Sequence, residues 1–72
     1  MTIEEFINYI ECIGFERSSI SYIFRYKHSE IDFNNTHYNY YNGDEWLTYI
    51  PLNDSTPLRK FERRYKLKKL LG

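Results

Sequence analysis

The chain of 72 residues contains no alanine, no valine and no glutamine, and it has one cysteine. A single cysteine excludes a disulfide within the chain, and Cys12 stands in no C-x-x-C or C-x-x-H spacing that would indicate a structural zinc site. No apolar run reaches the ~18 residues that a membrane span requires, and the acidic start does not have the basic and apolar regions of a signal peptide. We therefore expect the protein to be located in a reducing cytoplasm, which is that of the host cell if a phage encodes the chain. We expect no membrane insertion.

Sequence patterns typical of catalysis are also absent. His28 and His37 lie in or beside predicted turns, and the chain has no Ser-His-Asp order, H-E-x-x-H motif or glycine-rich phosphate loop. A domain of this size has difficulty enclosing a pocket that excludes water. We expect no enzyme activity, no cofactor, no metal site and no small-molecule substrate.

The residue types that dominate the composition suggest a source. Isoleucine, asparagine, lysine, tyrosine and phenylalanine supply 32 of the 72 residues, and all five have AT-rich codons. Such a bias is typical of an AT-rich bacterial, phage or viral genome. A short chain from that source suits an accessory protein that interacts with a host better than a metabolic enzyme.

The first residues predict a helix over about residues 3–13. Thr2 and Glu5 form a T-x-x-E capping box, and apolar residues follow at spacings of three and four. Gly14 stands where a left-handed cap belongs, with Phe15 beyond it to make the accompanying apolar contact. The apolar stripe of this helix comprises Ile3, Phe6, Ile7, Ile10 and Ile13.

Between residues 18 and 52 the hydrophobic period changes to two, which indicates antiparallel strands. The predicted strands cover about residues 20–27, 31–33, 37–41 and 45–52. Asn42-Gly43 predicts a hairpin with a type I′ turn, because both residues tolerate positive φ. Pro51 has no amide hydrogen, so we expect the last strand to lie at an edge or to end there.

A second helix is predicted after residue 55. Thr56 is a suitable N-cap and Pro57 suits the first helical position, and an apolar stripe follows at Leu58, Phe61 and Tyr65. The next apolar residues, Leu67, Leu70 and Leu71, fall on roughly the opposite side. Either the helix breaks near residues 65–66, or its last turns point these leucines away from the domain and make residues 66–72 a basic, leucine-rich docking or self-association tail.

This element order predicts one α+β domain over residues 1–72. The N-terminal helix, an antiparallel meander of three to four strands and the C-terminal helix would form two layers, with the helices on one face of the sheet. In outline the αβββα form resembles the double-stranded-RNA-binding type of fold, including small toxin relatives whose first helix is followed by Gly-Phe, as in Gly14-Phe15. The resemblance covers only the element order and this pair. It transfers no catalytic residue, because those toxins carry a strand histidine after Gly-Ser, whereas His28 follows Lys27 in a predicted turn.

Aromatic residues are too numerous for one small core, at 14 of the 72. Since helices cover only one face of the predicted sheet, we expect strand aromatics on the other face to form a partner-binding surface. The candidates are Tyr22, Tyr26, Tyr38, Tyr40, Tyr41, Trp46 and Tyr49. Strand propensity and codon bias give the alternative explanation. Base stacking is disfavoured, because residues 18–53 carry two cations against four acids and would repel phosphate.

Positive charge is concentrated near the C-terminus. Residues 59–72 hold seven bases and one acid, whereas residues 1–58 hold three bases and nine acids. The seven bases are Arg59, Lys60, Arg63, Arg64, Lys66, Lys68 and Lys69. They suit the phosphates of a nucleic acid, an acidic protein or an anionic membrane surface. The alternatives are a solvated helix face and pairing with Glu4, Glu5, Glu11 and Glu16.

Together these features favour macromolecular recognition without catalysis. We expect a small accessory protein of phage or mobile-element type that binds a protein partner through the aromatic face, the basic helix or both, and that modulates or inhibits this partner. A homodimer in which Leu67, Leu70 and Leu71 meet their own copies is a companion expectation. The alternative function is nucleic-acid binding by the basic helix.

Overall fold

The computed structural model describes residues 1–71, and the predicted α+β order is confirmed with one strand more than expected. The elements in chain order are helix α1 (Ile3–Cys12), strands β1 (Glu16–Arg17), β2 (Ile23–Tyr26), β3 (Ser29–Phe33), β4 (His37–Tyr41) and β5 (Trp46–Pro51), a 3-10 turn (Thr56–Leu58) and helix α2 (Arg59–Leu71). Each strand pairs antiparallel with the next, so the sheet is a meander in the order β1-β2-β3-β4-β5. The two outer strands, β1 and β5, are its edges.

Helix α1 begins and ends as the sequence predicts. The Thr2 side chain accepts a hydrogen bond from the Glu5 amide, and the Glu5 carboxylate accepts one from the Thr2 amide. At the other end Gly14 has φ 111°, and the Phe15 amide donates to the carbonyl of Ile10 at 2.9 Å. Both ends of the helix therefore have partners for backbone groups that would otherwise be unsatisfied.

Both helices pack on the same face of the sheet. The Phe6 ring of α1 lies 4.7 Å from the ring of Tyr38, and the Phe61 ring of α2 lies 6.1 Å from that of Tyr40. Because alternate residues of a strand point to one face, these two β4 tyrosines fix which face is covered. The buried core comprises Phe6, Ile10, Ile13, Phe15, Phe24, Ile31, Tyr38, Tyr40, Ile50, Leu52, Leu58 and Phe61.

Two local predictions within the sheet were wrong. The stretch before Ile23 is a loop rather than a strand, in which the Ser18 hydroxyl accepts from the Ile20 amide at 3.1 Å. The hairpin at Asn42 is not type I′, because Gly43 has positive φ and Asn42 does not. Instead the side-chain oxygen Oδ1 of Asn42 accepts hydrogen bonds from the backbone amides of Asp44 and Glu45, at 2.9 Å each. These bonds close the four-residue loop as an Asx-type turn.

The start of the second helical segment also differs from the prediction. Thr56 is not an N-cap: it opens the 3-10 turn, and its amide donates to the Asp54 carboxylate at 3.1 Å. The pKa of Asp54 is lowered chiefly by hydrogen bonding from the Thr56 side chain and next by the bond from the Thr56 amide, with a smaller contribution from the charge of Arg59. Pro57 does occupy one of the first two positions of the turn.

Helix α2 continues without a break to Leu71, so the helix does not end near residues 65–66. Leu67, Leu70 and Leu71 are 59%, 85% and 82% exposed. Residues 66–71 are therefore the last turns of α2 and point their leucines away from the domain. Gly72, the last residue of the predicted tail, lies outside the described residues.

Candidate protein-binding surface

The seven predicted surface aromatics divide between the two faces of the sheet. Tyr38 and Tyr40 are 0% and 2% exposed, so their assignment to an exposed face was wrong. Both point toward the helices because they alternate along β4 with Asn39 and Tyr41, which point the other way. They belong to the core.

The hydroxyl groups of these two buried tyrosines differ in their surroundings. The Tyr38 hydroxyl donates to the backbone carbonyl of Asp54. Burial raises the pKa of Tyr38 strongly, and the negative charge of Asp54 adds to the effect. The Tyr40 hydroxyl is buried without a hydrogen-bond partner among the described residues. Burial of this hydroxyl is therefore uncompensated.

Two further predicted aromatics lie apart from the rest. Tyr26 is half-buried on the covered face, with its ring 5.4 Å from Phe61 and the Lys27 ammonium 5.6 Å from its ring. Tyr22 is 53% exposed in the loop between β1 and β2. Neither is brought to β5 by the fold.

Three aromatics lie on the open face along strands β4 and β5. Tyr41 and Trp46 are cross-strand partners with ring centroids 5.2 Å apart, and Trp46 is 45% exposed. Tyr49 is 78% exposed and lies 5.0 Å from the ring of His37. We call Tyr41, Trp46 and Tyr49 the aromatic surface. An exposed group of large rings on neighbouring strands is typical of protein-recognition surfaces.

A β-bulge sets the position of Tyr49. The register places Tyr38 opposite Ile50 but Tyr40 opposite Leu47, so two residues of β5 stand opposite Asn39 alone. Tyr49 has φ 59°, an uncommon value for a residue with a bulky side chain, and its amide donates to the Asn39 side chain at 3.0 Å. The bulge therefore holds an exposed ring in a strained backbone conformation, which is more often found at functional sites than elsewhere.

Most of the rest of the open face is polar. Arg25 on β2 and Glu30 on β3 form an ion pair of 3.0 Å, and Asn39 donates to Asp32 at 2.7 Å. In the register, Arg25 and Glu30 continue the row that ends in Tyr41 and Trp46. The aromatic side chains of the open face are thus confined to β4 and β5, and Ile23 of β2 is a further apolar residue on this face.

Strand β5 adds a feature that the sequence analysis missed. Leu47 is 38% exposed, and no residue from Trp46 to Asn53 carries a charge. A groove of about 630 Å³ runs along this strand. Its lining consists of residues 46–51 with Asp54, Thr56 and Pro57. The eight-residue uncharged stretch, together with the edge position that Pro51 indicates, is the sequence signal for this site.

The basic helix α2 is largely unpaired within residues 1–71. Its one ion pair there joins Lys66 to Glu62 of the same helix at 3.5 Å. Lys60 and Lys69 lie over the rings of Phe61 and Tyr65, at 5.1 and 5.5 Å. Within residues 1–71 none of Glu4, Glu5, Glu11 and Glu16 pairs with a cation of α2, so this alternative for the basic residues is not observed.

The remaining candidate groups do not assemble into a reactive site. His37 is the first residue of β4. Its ring lies between two groups of the preceding loop, Asn34 Nδ2 at 3.2 Å and Thr36 Oγ1 at 3.0 Å. His28 occupies the turn between β2 and β3, and Cys12 is exposed with the Tyr65 hydroxyl 3.9 Å from its sulfur. Within residues 1–71, no three His, Cys, Asp or Glu side chains are grouped to hold a metal ion, and neither helix has the length of apolar sequence needed to cross a membrane.

No protein-family model matches the chain, and neither a curated protein nor a solved structure matches it.

Proposed function

We propose that this chain is a non-enzymatic binding protein that recognises a protein partner through the aromatic surface. The observation that supports the proposal is that Tyr41, Trp46 and Tyr49 lie along the β4–β5 edge of the open face, with Trp46 45% and Tyr49 78% exposed. Tyrosine and tryptophan bury a large area on binding with little loss of conformational entropy, and they keep a polar group at the tip. The composition favours a small accessory protein of phage or mobile-element type, whose binding modulates or inhibits its partner.

The experiment that tests this proposal is site-specific photocrosslinking in a lysate of the native host. A photoreactive phenylalanine analogue replaces Tyr49, and separate variants carry it at the equally accessible Leu70 and, as a control, at Ser19. We expect an adduct from position 49 that nuclease does not remove and that contains peptides of a second protein, and none from position 19. Equal adducts from positions 49 and 19 would contradict the proposal.

The second candidate function is nucleic-acid binding by α2. The supporting observation is that six of its seven cations have no ion pair within residues 1–71. Such cations would release counterions from several phosphates, so binding would fall steeply as salt rises. A mobility-shift titration at about 50 mM salt tests it, because the electrostatic attraction is large under that condition. An adduct from position 70 that nuclease removes would favour this function over protein binding.

Self-association through Leu67, Leu70 and Leu71 is a further expectation for the exposed end of α2. Two of these leucines, Leu67 and Leu70, and the side chains of Arg63, Arg64 and Lys66 surround a shallow apolar concavity of about 450 Å³. Sedimentation of the wild type against Leu70→Lys tests it. A dimer should dissociate in the variant, and a wild type that is monomeric at high concentration would remove the expectation.

A further inference from the structure

The backbone of Trp46 is placed to pair with another strand. The Asn42 amide donates to the Glu45 carbonyl at 3.2 Å and closes the β4–β5 hairpin. Because bonded and non-bonded pairs alternate along an antiparallel ladder, the next pair, Tyr41 with Trp46, is non-bonded. The N–H and C=O groups of Trp46 therefore point away from β4, toward the edge where the sheet has no further strand.

This edge has little of the protection that natural sheets use against pairing with other chains. Exposed edges are usually short or carry charged side chains, and β1 is both, since it consists of Glu16 and Arg17 alone. Strand β5 has six residues and no charge. The bulge and Pro51 interrupt its second half, so an added strand would pair mainly with residues 46–48.

Side chains on both faces of the β5 edge are apolar and accessible. Trp46 lies on the open face with Tyr41, whereas Leu47 pairs with Tyr40 and so points to the helix-covered face. Pro57 forms part of the groove beside β5. A strand added at this edge would find apolar contacts above and below its backbone.

The charges at the two ends of β5 indicate which kind of strand could be added at this edge. Asp44 and Glu45 precede the strand and Asp54 lines the groove at its far end, and none of the three has an ion pair within residues 1–71. If β5 paired antiparallel with β5 of a second copy, Asp44 and Glu45 of one copy would lie close to Asp54 of the other, and these like charges would repel. A partner strand with basic ends avoids this repulsion and gains opposite-charge contacts instead.

We propose that β5 binds an extended segment of the partner protein as a sixth strand, and that this segment has an uncharged, β-forming centre between basic ends. The inference rests on the proposed protein-binding function and specifies its mode. Main-chain hydrogen bonds at residue 46 and apolar contacts on both faces supply the affinity, and the acidic ends select the charge of the ligand.

Synthetic peptides test both parts of the proposal on the full chain. The probe has a lysine pair at each end and alternating threonine and valine between them, and its binding is measured by fluorescence anisotropy. We expect the same peptide with glutamate ends to bind several-fold to about tenfold more weakly. Methylating the central amides along one edge of the peptide should leave affinity within about twofold, because the other edge remains available for pairing. Methylating the central amides of both edges should weaken binding at least about tenfold, because no edge can then donate.

A pair of variants tests the backbone of the protein itself. W46P and W46T both remove the indole, but only W46P removes the outward-pointing amide, and we expect it to bind the lysine-ended peptide about fivefold more weakly than W46T. Circular dichroism of both variants checks that the edge substitution leaves the fold intact. If W46P does not fold, or if loss of the indole alone abolishes binding, the methylated peptides with the wild-type protein decide the matter.

Several outcomes would overturn the proposal. The protein could bind the unmethylated and fully methylated peptides with equal affinity, or bind the peptides with lysine and glutamate ends with equal affinity. It could also bind no peptide at about 1 mM, or form a homodimer that W46P dissociates. Crosslinking at position 49 reports the protein-binding function independently. If position 49 gives a nuclease-resistant adduct with a second protein and any of these outcomes is also found, strand addition is rejected and the proposed function is retained.

Discussion

The two faces of the sheet use the same residue types for opposite purposes. On the helix-covered face, Tyr38 and Tyr40 are almost completely buried and contact Phe6 and Phe61. On the open face, one residue further along the same strand, Tyr41 contacts the exposed ring of Trp46. An aromatic strand residue in this chain is therefore buried in the core or exposed on the open face according to its position along the strand, and its residue type does not decide which.

The largest effect that would test this division is a truncation on the covered face. Phe61 contacts the rings of Phe15, Tyr26 and Tyr40, at centroid distances of 5.0, 5.4 and 6.1 Å. We expect Phe61→Ala to lower the free energy of unfolding by about 3–5 kcal/mol, which is enough to unfold a domain of this size. Far-UV circular dichroism during thermal melting measures it. A variant that melts within a few degrees of the wild type would show that the helix-covered face is not the core.

Alkaline pH tests the covered face by titration. The pKa of Tyr38 is raised by burial, whereas an unfolded tyrosine loses its proton near pH 10. Above about pH 10 the unfolded state therefore binds fewer protons than the folded state, and the free energy of unfolding falls as pH rises. Urea unfolding at increasing pH measures this slope. Tyr38→Phe should have the shallower slope, and equal slopes would contradict the burial of Tyr38.

Removal of single hydroxyls separates the two buried tyrosines. Tyr38→Phe removes the donor to the Asp54 carbonyl and should cost about 1 kcal/mol. Tyr40→Phe removes a buried hydroxyl that has no partner, so the variant should be as stable as the wild type or more stable by up to about 1 kcal/mol. Urea unfolding of both variants measures the difference. Equal losses would mean that the Tyr40 hydroxyl is hydrogen-bonded, for example to a buried water molecule.

The smallest effect on stability is expected on the open face. Tyr49 is exposed and has positive φ, and asparagine tolerates that conformation better than tyrosine does. Tyr49→Asn should therefore change the free energy of unfolding by less than about 0.5 kcal/mol, in the stabilising direction. The same variant should lose affinity for the lysine-ended peptide. A large loss of stability would place the ring in the fold rather than on a recognition surface.

Much of the fold could be predicted because its signals are local. The capping box at Thr2, the left-handed cap at Gly14 and the apolar stripe between them specify α1 through interactions within a few residues. Pro51 indicated an edge or a strand end, and β5 has both. The turn at Asn42 was harder to predict, since its side chain bonds to the following amides and replaces the backbone geometry that Asn-Gly favours.

The candidate site could be predicted only in part. Trp46 and Tyr49 were correctly expected to be exposed, whereas Tyr38 and Tyr40 were not exposed. The bulge opposite Asn39 was not predicted, because it depends on a side-chain bond to a neighbouring strand. The lack of pairing between α1 and α2 was left open by the sequence, since it depends on how the helices are oriented on the sheet.

The sequence alone determined the two helices, strands β2 to β5, their order and the concentration of cations in the last helix, because caps, hydrophobic periods and charge counts are properties of neighbouring residues. Only the tertiary structure decided which side of each strand is covered. A hydrophobic pattern with a period of two residues does not say which face of the sheet is covered. Along β4 both faces carry tyrosine, so the pattern cannot identify the buried face. The packing of Phe6 and Phe61 against one face makes the faces different, and it leaves Trp46 and Tyr49 exposed at the edge of the other.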